Sequence, residues 1–300
     1  MAPSLLDAVR ALRWPARARV PGVLPGSHPA RLRGPGGEFS EYRAYRQGDD
    51  PRRIDWRLLA RSDRAFVRLA DDHALLPTVC VVDASASMAF PADGPARHAK
   101  WHQAAAVAVG LAAVAHGAGD PVGLTIAAPD GPGAGPGAGA RSLPPRSRRG
   151  VVAELTAALS AVAPGGSPPL APAAARAPAR CRLVLISDFL GDADGAGGDA
   201  AALRRAAAAH AAAGGEVYAV HVVAAEELEL PRGLAVAVDP EAPRLRRPLD
   251  ASGRAAYARA FAAWRDDLAR AWRDAGAAYT LVRADEPPAH AVRRVVRGAA

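Results

Sequence analysis

The sequence is poor in cysteine, lysine and aromatic side chains. It has two cysteines, Cys80 and Cys181, and no Cys-x-x-Cys or Cys/His cluster. That leaves no disulfide framework and no ligand set for a structural zinc. Each cysteine opens an apolar run, where a buried, reduced thiol is expected. Lys100 is the single lysine and lies in Ala99-Lys100-Trp101, so the chain has no Gly-Lys-Ser/Thr phosphate loop. A Schiff-base enzyme would have to use Lys100, and nothing beside it in sequence points to activation. Aromatics make up 5% of the chain, so the core must be built from alanine and aliphatic side chains. The longest apolar run, Ala104 to Ala115, is too short to span a bilayer. The N-terminal MAPSLLDAVRALRW is broken by Asp7, Arg10 and Arg13 and lacks the apolar stretch of a signal peptide. The expectation is a soluble, cytoplasmic protein with no stable membrane insertion.

What is present is an apolar half and an arginine-dominated charge. The formal net charge is +8 and the sequence pI about 10.4. Such a balance permits anionic partners. Between Glu41 and Asp63, however, six arginines stand against five acids: Glu41, Asp49, Asp50, Asp55 and Asp63. A net of one positive charge is weak for phosphate binding, and no nucleic-acid partner is expected.

Three regions follow from the pattern: a flexible arm over 1–37 that opens with a short helix and then turns Pro/Gly-rich, a mixed aromatic and charged segment over 38–76, and an alternating region over 77–300. In the second, Ala65 to Leu69 reads as a strand. In the third, Thr78–Val82, Val122–Ala127, Arg182–Ser187, Glu216–Val223 and Ala277–Val282 read as strands, Thr78–Val82 and Arg182–Ser187 as buried ones. Between them fall helices at Ala96–His116, Val151–Val162, Leu170–Ala177, Asp199–Ala213, Ser252–Ala275 and His290–Val296. Leu234–Val238 reads as an edge strand and 129–149 as a basic loop. Tyr257, Phe261, Trp264 and Trp272 stand at helical spacing and are expected to pack on a sheet. The alternation predicts an α/β fold with a doubly wound, mostly parallel sheet, preceded by an N-terminal accessory segment.

In such sheets the functional crevice lies past the carboxyl ends of the strands. Two strand ends carry oxygen donors. VVDASASM places Asp83, Ser85 and Ser87 just past one, and LVLISDFL places Asp188 just past another. If the strands are neighbours, two carboxylates and two hydroxyls converge. That set suits a hard cation such as Mg²⁺ or Mn²⁺, which takes oxygen ligands and keeps some water. His98 and His102, four apart on a helix, lack a third ligand.

The Asp-x-Ser-x-Ser pattern and the later Asp resemble the metal-ion-dependent adhesion site of von Willebrand factor A domains. On that resemblance Asp83, Ser85, Ser87 and Asp188 are metal ligands. Ser167, in Gly165-Gly166-Ser167, stands where the family has Thr. The upstream GGEFSEYRAYRQGDDPRRIDWRLLAR resembles the signature of the bacterial domain of unknown function 58. Arg43, Tyr45, Gly48, Asp49, Asp50, Arg52, Ile54, Asp55, Trp56, Ala60 and Arg61 occupy the signature places.

The resemblance implies a non-enzymatic module that binds a protein through a shared Mg²⁺ beside a MoxR-type AAA+ ATPase. The signature segment would either clamp onto the α/β domain, with Trp56 buried, or present a partner surface. Two alternatives stand beside this reading. One is a structural adaptor with a vestigial metal site. The other is an aspartate-dependent phosphohydrolase using Asp83, for which Ser85 stands where a second Asp is wanted.

Overall fold

The computed structural model describes residues 4–17, 25–29, 38–47, 49, 51–71, 73–91, 99–129, 140–192, 198–230, 236–238, 244, 246–248 and 250–298. The chain divides into two compact units, one of Met1–Trp14 with Pro77–Ala300, the other of Pro15–Leu76. Helix α1 (Leu5–Val9) opens the first; the Ser4 hydroxyl accepts the Asp7 amide as its cap.

The second unit contains β1 (Pro25–Pro29), β2 (Glu38–Ala44), α2 (Trp56–Ser62), β3 (Phe66–Asp71) and β4 (His73–Ala74). β2 pairs antiparallel with β3, and β1 with β4. α2 sits in the connection from β2 to β3. Its exposed residues, Trp56, Arg57, Ala60, Arg61 and Ser62, flank half-buried Leu58 and Leu59, the spacing of a helix with one side covered.

The first unit continues with β5 (Thr78–Asp83), α3 (Lys100–Gly117), β6 (Val122–Ala127), β7 (Arg141–Arg146), α4 (Val151–Ser160), α5 (Leu170–Ala174), β8 (Arg182–Ser187), α6 (Gly198–Ala212), β9 (Glu216–Val223) and α7 (Ala225–Leu228). It closes with β10 (Val236–Val238), β11 (Arg246–Pro248), α8 (Ala251–Asp274), β12 (Ala278–Arg283) and α9 (Pro288–Arg297). Six strands form the central sheet in the order β12-β9-β8-β5-β6-β7. Every pairing is parallel except β6 with the edge strand β7.

Side-chain alternation along β5 splits the core in two. Cys80 and Val82 face one layer with residues of α3, α4 and α9. Val79 and Val81 face another with Leu203 of α6, and Leu268 and Trp272 of α8. Both cysteines are buried and unpaired by any disulfide. β5 therefore leads into a helix on one face, and β8 into a helix on the other. This is the switch point, and Asp83 and Asp188 stand at it.

Three expectations are corrected. Residues 4–14, expected in a flexible arm, pack into the α/β unit: Val9 and Trp14 are buried. Trp14 lies under the Arg182 guanidinium at 4.1 Å and edge-on to Tyr218 at 5.0 Å. Gly110 of α3 allows the close approach. A Cβ there would stand 2.6 Å from Val292 of α9 and 3.7 Å from Leu5.

Arg141–Arg146, expected in a loop, is the edge strand β7. Its prolines removed the strand signal, yet proline is tolerated on an edge. Gly123 on β6 makes room, since a Cβ would meet the Leu143 carbonyl and Pro145 nitrogen at 2.9 Å. Val236–Val238 pairs with Arg246–Pro248 in a separate two-stranded ribbon, not at the edge of the central sheet. Among the described residues no helix is long and apolar enough to cross a membrane.

Candidate functional site

β5 and β8 are parallel neighbours, with Val82 opposite Ile186. That register places the end of one strand against the end of the other. The Ser187 hydroxyl donates to Asp83 Oδ2 at 2.5 Å. The chain then turns, and the Ser85 amide donates to Asp83 Oδ1 at 2.8 Å. Ser85 Oγ and Ser87 Oγ stand 3.0 Å apart, and the Ser87 hydroxyl hydrogen-bonds to Asp188. Asp83, Ser85, Ser87 and Asp188 are thus brought together, and all four are buried.

The Gly-Gly-Ser loop joins them through its backbone. The Gly165 amide donates to the Ala84 carbonyl at 2.8 Å, and the Ala86 amide to the Gly166 carbonyl at 2.9 Å. Gly166 has φ +58°, which a side chain would strain. Ser167 lines a cavity of about 290 Å³ together with Asp83, Ser85, Asp188, Phe189 and Leu203. Phe189 itself holds φ +52° directly after Asp188, a conformation costing a non-glycine residue on the order of 1 kcal/mol or more. Its ring packs 5.0 Å from that of Trp272.

The least expected member is Lys100. Its ammonium donates to Asp188 Oδ2 at 2.7 Å and to Glu227 Oε1 at 2.7 Å. The side chain is 0% exposed. The other Asp188 oxygen accepts the Leu190 amide at 3.2 Å, and the other Glu227 oxygen accepts the Ala224 amide at 2.8 Å. Asp188 and Glu227 thus share one ammonium, and with Asp83 beside Asp188 the cluster carries a net charge of −2 when all three carboxylates are ionised.

The ionisation of each group follows from its neighbours. Burial, then the charge of Asp188, pushes Asp83 up to about 7 against the hydrogen bonds from Ser187 and Ser85. Burial also acts to raise Asp188, but the Lys100 charge and hydrogen bond outweigh it and hold the carboxyl below its ordinary value. For Lys100, burial acts downward and the two carboxylates win, holding the ammonium charged. Burial raises Glu227 against the pull of Lys100. His221 is buried beside the cluster, its Nδ1 2.6 Å from the Tyr279 hydroxyl; burial pushes it down to about 3.

The donor set is hard and incomplete. Among the described residues no group of three or more His, Cys, Asp and Glu is arranged to hold a metal ion. A cation at Asp83 and Asp188 would draw on the serine hydroxyls and on water, which suits Mg²⁺ or Mn²⁺. His102 is exposed on α3, and His98 lies outside the described residues.

The signature residues hold their own unit together. Arg43 donates to Asp49 Oδ1 at 2.7 Å, and the Arg46 amide to Asp49 Oδ2 at 2.8 Å. Asp55 caps α2, accepting the Arg57 and Leu58 amides at 3.0 Å. The Tyr45 amide donates to the Ala65 carbonyl, and Ile54 forms a bridge with Val67. Trp56, which the clamp alternative would bury, is 61% exposed. Arg52 and Arg61 are exposed. Gly48 and Asp50 lie outside the described residues.

Lys100, Ser187 and Glu227 were not among the expected site residues. The one available signal was Lys100 itself, a lone lysine in a chain that otherwise uses arginine.

Comparison with known proteins places the chain in a family by its sequence. The chain is 36% identical over 292 residues to uncharacterized proteins of Mycobacterium bovis and Mycobacterium tuberculosis, covering 94% of this chain and 86% of theirs. Among solved structures it is similar to the conserved hypothetical protein BatB of Bacteroides thetaiotaomicron. The TM-score is 0.43 and the identity 17%, covering 74% of this chain and 96% of that one. The pilus adhesin SpaC of Lactobacillus rhamnosus GG matches at TM-score 0.43 and 14% identity, over 75% of this chain and 30% of that one. The model of the family described as "Protein of unknown function DUF58" matches residues 41–267, and the chain belongs to that family.

Proposed function

We propose that the protein is a non-enzymatic, metal-dependent protein-binding module of the von Willebrand factor A type, a cytoplasmic partner of a MoxR-type AAA+ ATPase. The observation that carries the reading is the convergence of Asp83, Ser85, Ser87 and Asp188 at the switch point of the sheet. The donor set and its net negative charge fit Mg²⁺ or Mn²⁺. The ion would supply a Lewis-acidic position for a carboxylate offered by the partner. Ser85 and Ser87 would hold it directly, and Asp83 and Asp188 would supply charge, partly through water. Ser167, on the cavity wall, would be a further ligand. Ser187 keeps Asp83 oriented, and Lys100 keeps Asp188 ionised.

The phosphohydrolase alternative gains one feature, since Lys100 reaches Asp188. That lysine is already engaged by two carboxylates, and Ser85 still stands where that chemistry wants a second acid. A phosphatase screen with an aryl phosphate separates the two, with no turnover expected.

The functional test is affinity capture of candidate ATPases in Mg²⁺ and in chelator, with Asp83→Ala alongside. Capture that depends on Mg²⁺ and is lost in Asp83→Ala supports the reading. A partner set unchanged by both treatments supports the adaptor with a vestigial site.

A further inference from the structure

Lys100 is oddly placed for a residue with only a packing role. It is the first residue of α3, where the helix dipole disfavours a cation. It is wholly removed from water, at a cost of several kcal/mol per ion unless compensated. The chain supplies arginine almost everywhere else, but a planar guanidinium presents a fork, whereas an ammonium is a compact charge. The compensation comes from two carboxylates far apart in sequence. Asp188 follows β8, and Glu227 lies in α7 after β9. One of them, Asp188, belongs to the proposed cation site; the other does not.

We infer that Lys100 is a resident counter-cation of the site, and that a divalent ion bound at Asp83 and Asp188 shifts the ammonium's share from Asp188 toward Glu227. The inference rests on the metal-binding reading above. Its physical basis is charge competition in a dry place. A divalent ion at Asp188 and an ammonium on the same carboxylate repel at short range, where low dielectric magnifies the interaction. Glu227 gives the ammonium a second partner already at 2.7 Å, so no new contact has to form.

Glu227 is then a positioning residue that tunes metal affinity without touching the metal. The effect reaches further. Glu227 accepts the Ala224 amide at 2.8 Å, and its carbonyl accepts the Tyr257 hydroxyl of α8 at 3.2 Å. Occupancy of the site is thereby transmitted to α7 and to its contact with α8.

The experiment is calorimetric titration of the full chain with Mn²⁺, for wild type, Glu227→Gln and Lys100→Met, with melting curves to establish folding. Glu227→Gln leaves the ammonium wholly on Asp188, and Mn²⁺ binding is expected to weaken at least tenfold. Lys100→Met removes the competing charge, and binding is expected to tighten at least tenfold. Mn²⁺ should also raise its melting temperature more than that of wild type. If Lys100→Met does not fold without metal, Glu227→Gln decides. A folded Glu227→Gln variant that binds Mn²⁺ like wild type overturns this inference and leaves the metal reading standing. A folded wild type that binds no Mn²⁺ overturns both.

Discussion

The Tyr42 hydroxyl donates to Asp55 Oδ2 at 2.9 Å, while Asp55 Oδ1 accepts the two amides that open α2. One carboxylate thus fixes a strand of the accessory unit to the start of its helix. Asp55→Ala removes the cap and the phenol's acceptor, and about 1–2 kcal/mol of local stability should go with it. Asp55→Asn keeps an acceptor oxygen for the amides and should recover most of it. Amide hydrogen exchange in α2 checks this, with protection falling in Ala and largely held in Asn.

Trp56 follows that cap and is exposed. Trp56→Ala is expected to change the unfolding free energy by no more than about 0.5 kcal/mol. If the unit presents a partner surface, the same variant should lower capture of the ATPase while leaving Mn²⁺ affinity unchanged. Melting and capture together give the answer.

Trp14 tests the corrected N-terminus. Its ring lies between Arg182 and Tyr218, and Arg182 donates to the Trp14 carbonyl at 3.1 Å. Arg182 also donates to Glu216 at 3.1 Å, so the indole covers a buried ion pair. Trp14→Ala should cost about 3–5 kcal/mol, the range for truncating a buried large aromatic. Denaturant unfolding measures it; a loss below about 1 kcal/mol would mean residues 4–14 contribute little.

Acid stability without metal should reflect opposed groups, His221 on one side and, on the other, Asp83 together with Glu227, whose carboxyl burial also raises. His221 titrates near 3 when folded against an ordinary 6.5, so its contribution is present above 6.5 and lost as pH falls. Asp83 titrates near 7 against an ordinary 3.8, so its contribution is full below 3.8 and lost as pH rises toward 7. Between 3.8 and 6.5 the slopes oppose each other. Asp83→Asn removes one of them. In chelator its stability should fall more steeply with acid than wild type, by up to about 1.4 kcal/mol per pH unit. Equal slopes in the two proteins would contradict the opposition.

Much of the sheet was legible because its strands are buried on both faces and read as short β-branched runs bounded by turns. Asp83 and Asp188 were legible for the same reason, since they end two such runs. What was hidden depended on partners distant in sequence. Lys100 showed nothing beside it because its carboxylates lie at Asp188 and Glu227. Trp14 sat in a segment rich in Pro and Gly, and only Arg182, Glu216 and Tyr218 explain its burial. β7 was masked by Pro144 and Pro145, whose tolerance depends on Gly123 across the sheet. Aromatic character alone does not say whether Trp56 is buried or exposed, and on α2 it is exposed.

The most direct test of the metal-site reading is calorimetric titration of chelator-stripped protein with Mg²⁺ and Mn²⁺, beside Asp83→Ala and the double variant Ser85→Ala/Ser87→Ala. One saturable site is expected in wild type and its loss in both variants, with melting curves showing all three folded. A folded wild type that takes up neither ion, or variants that bind like wild type, would contradict it.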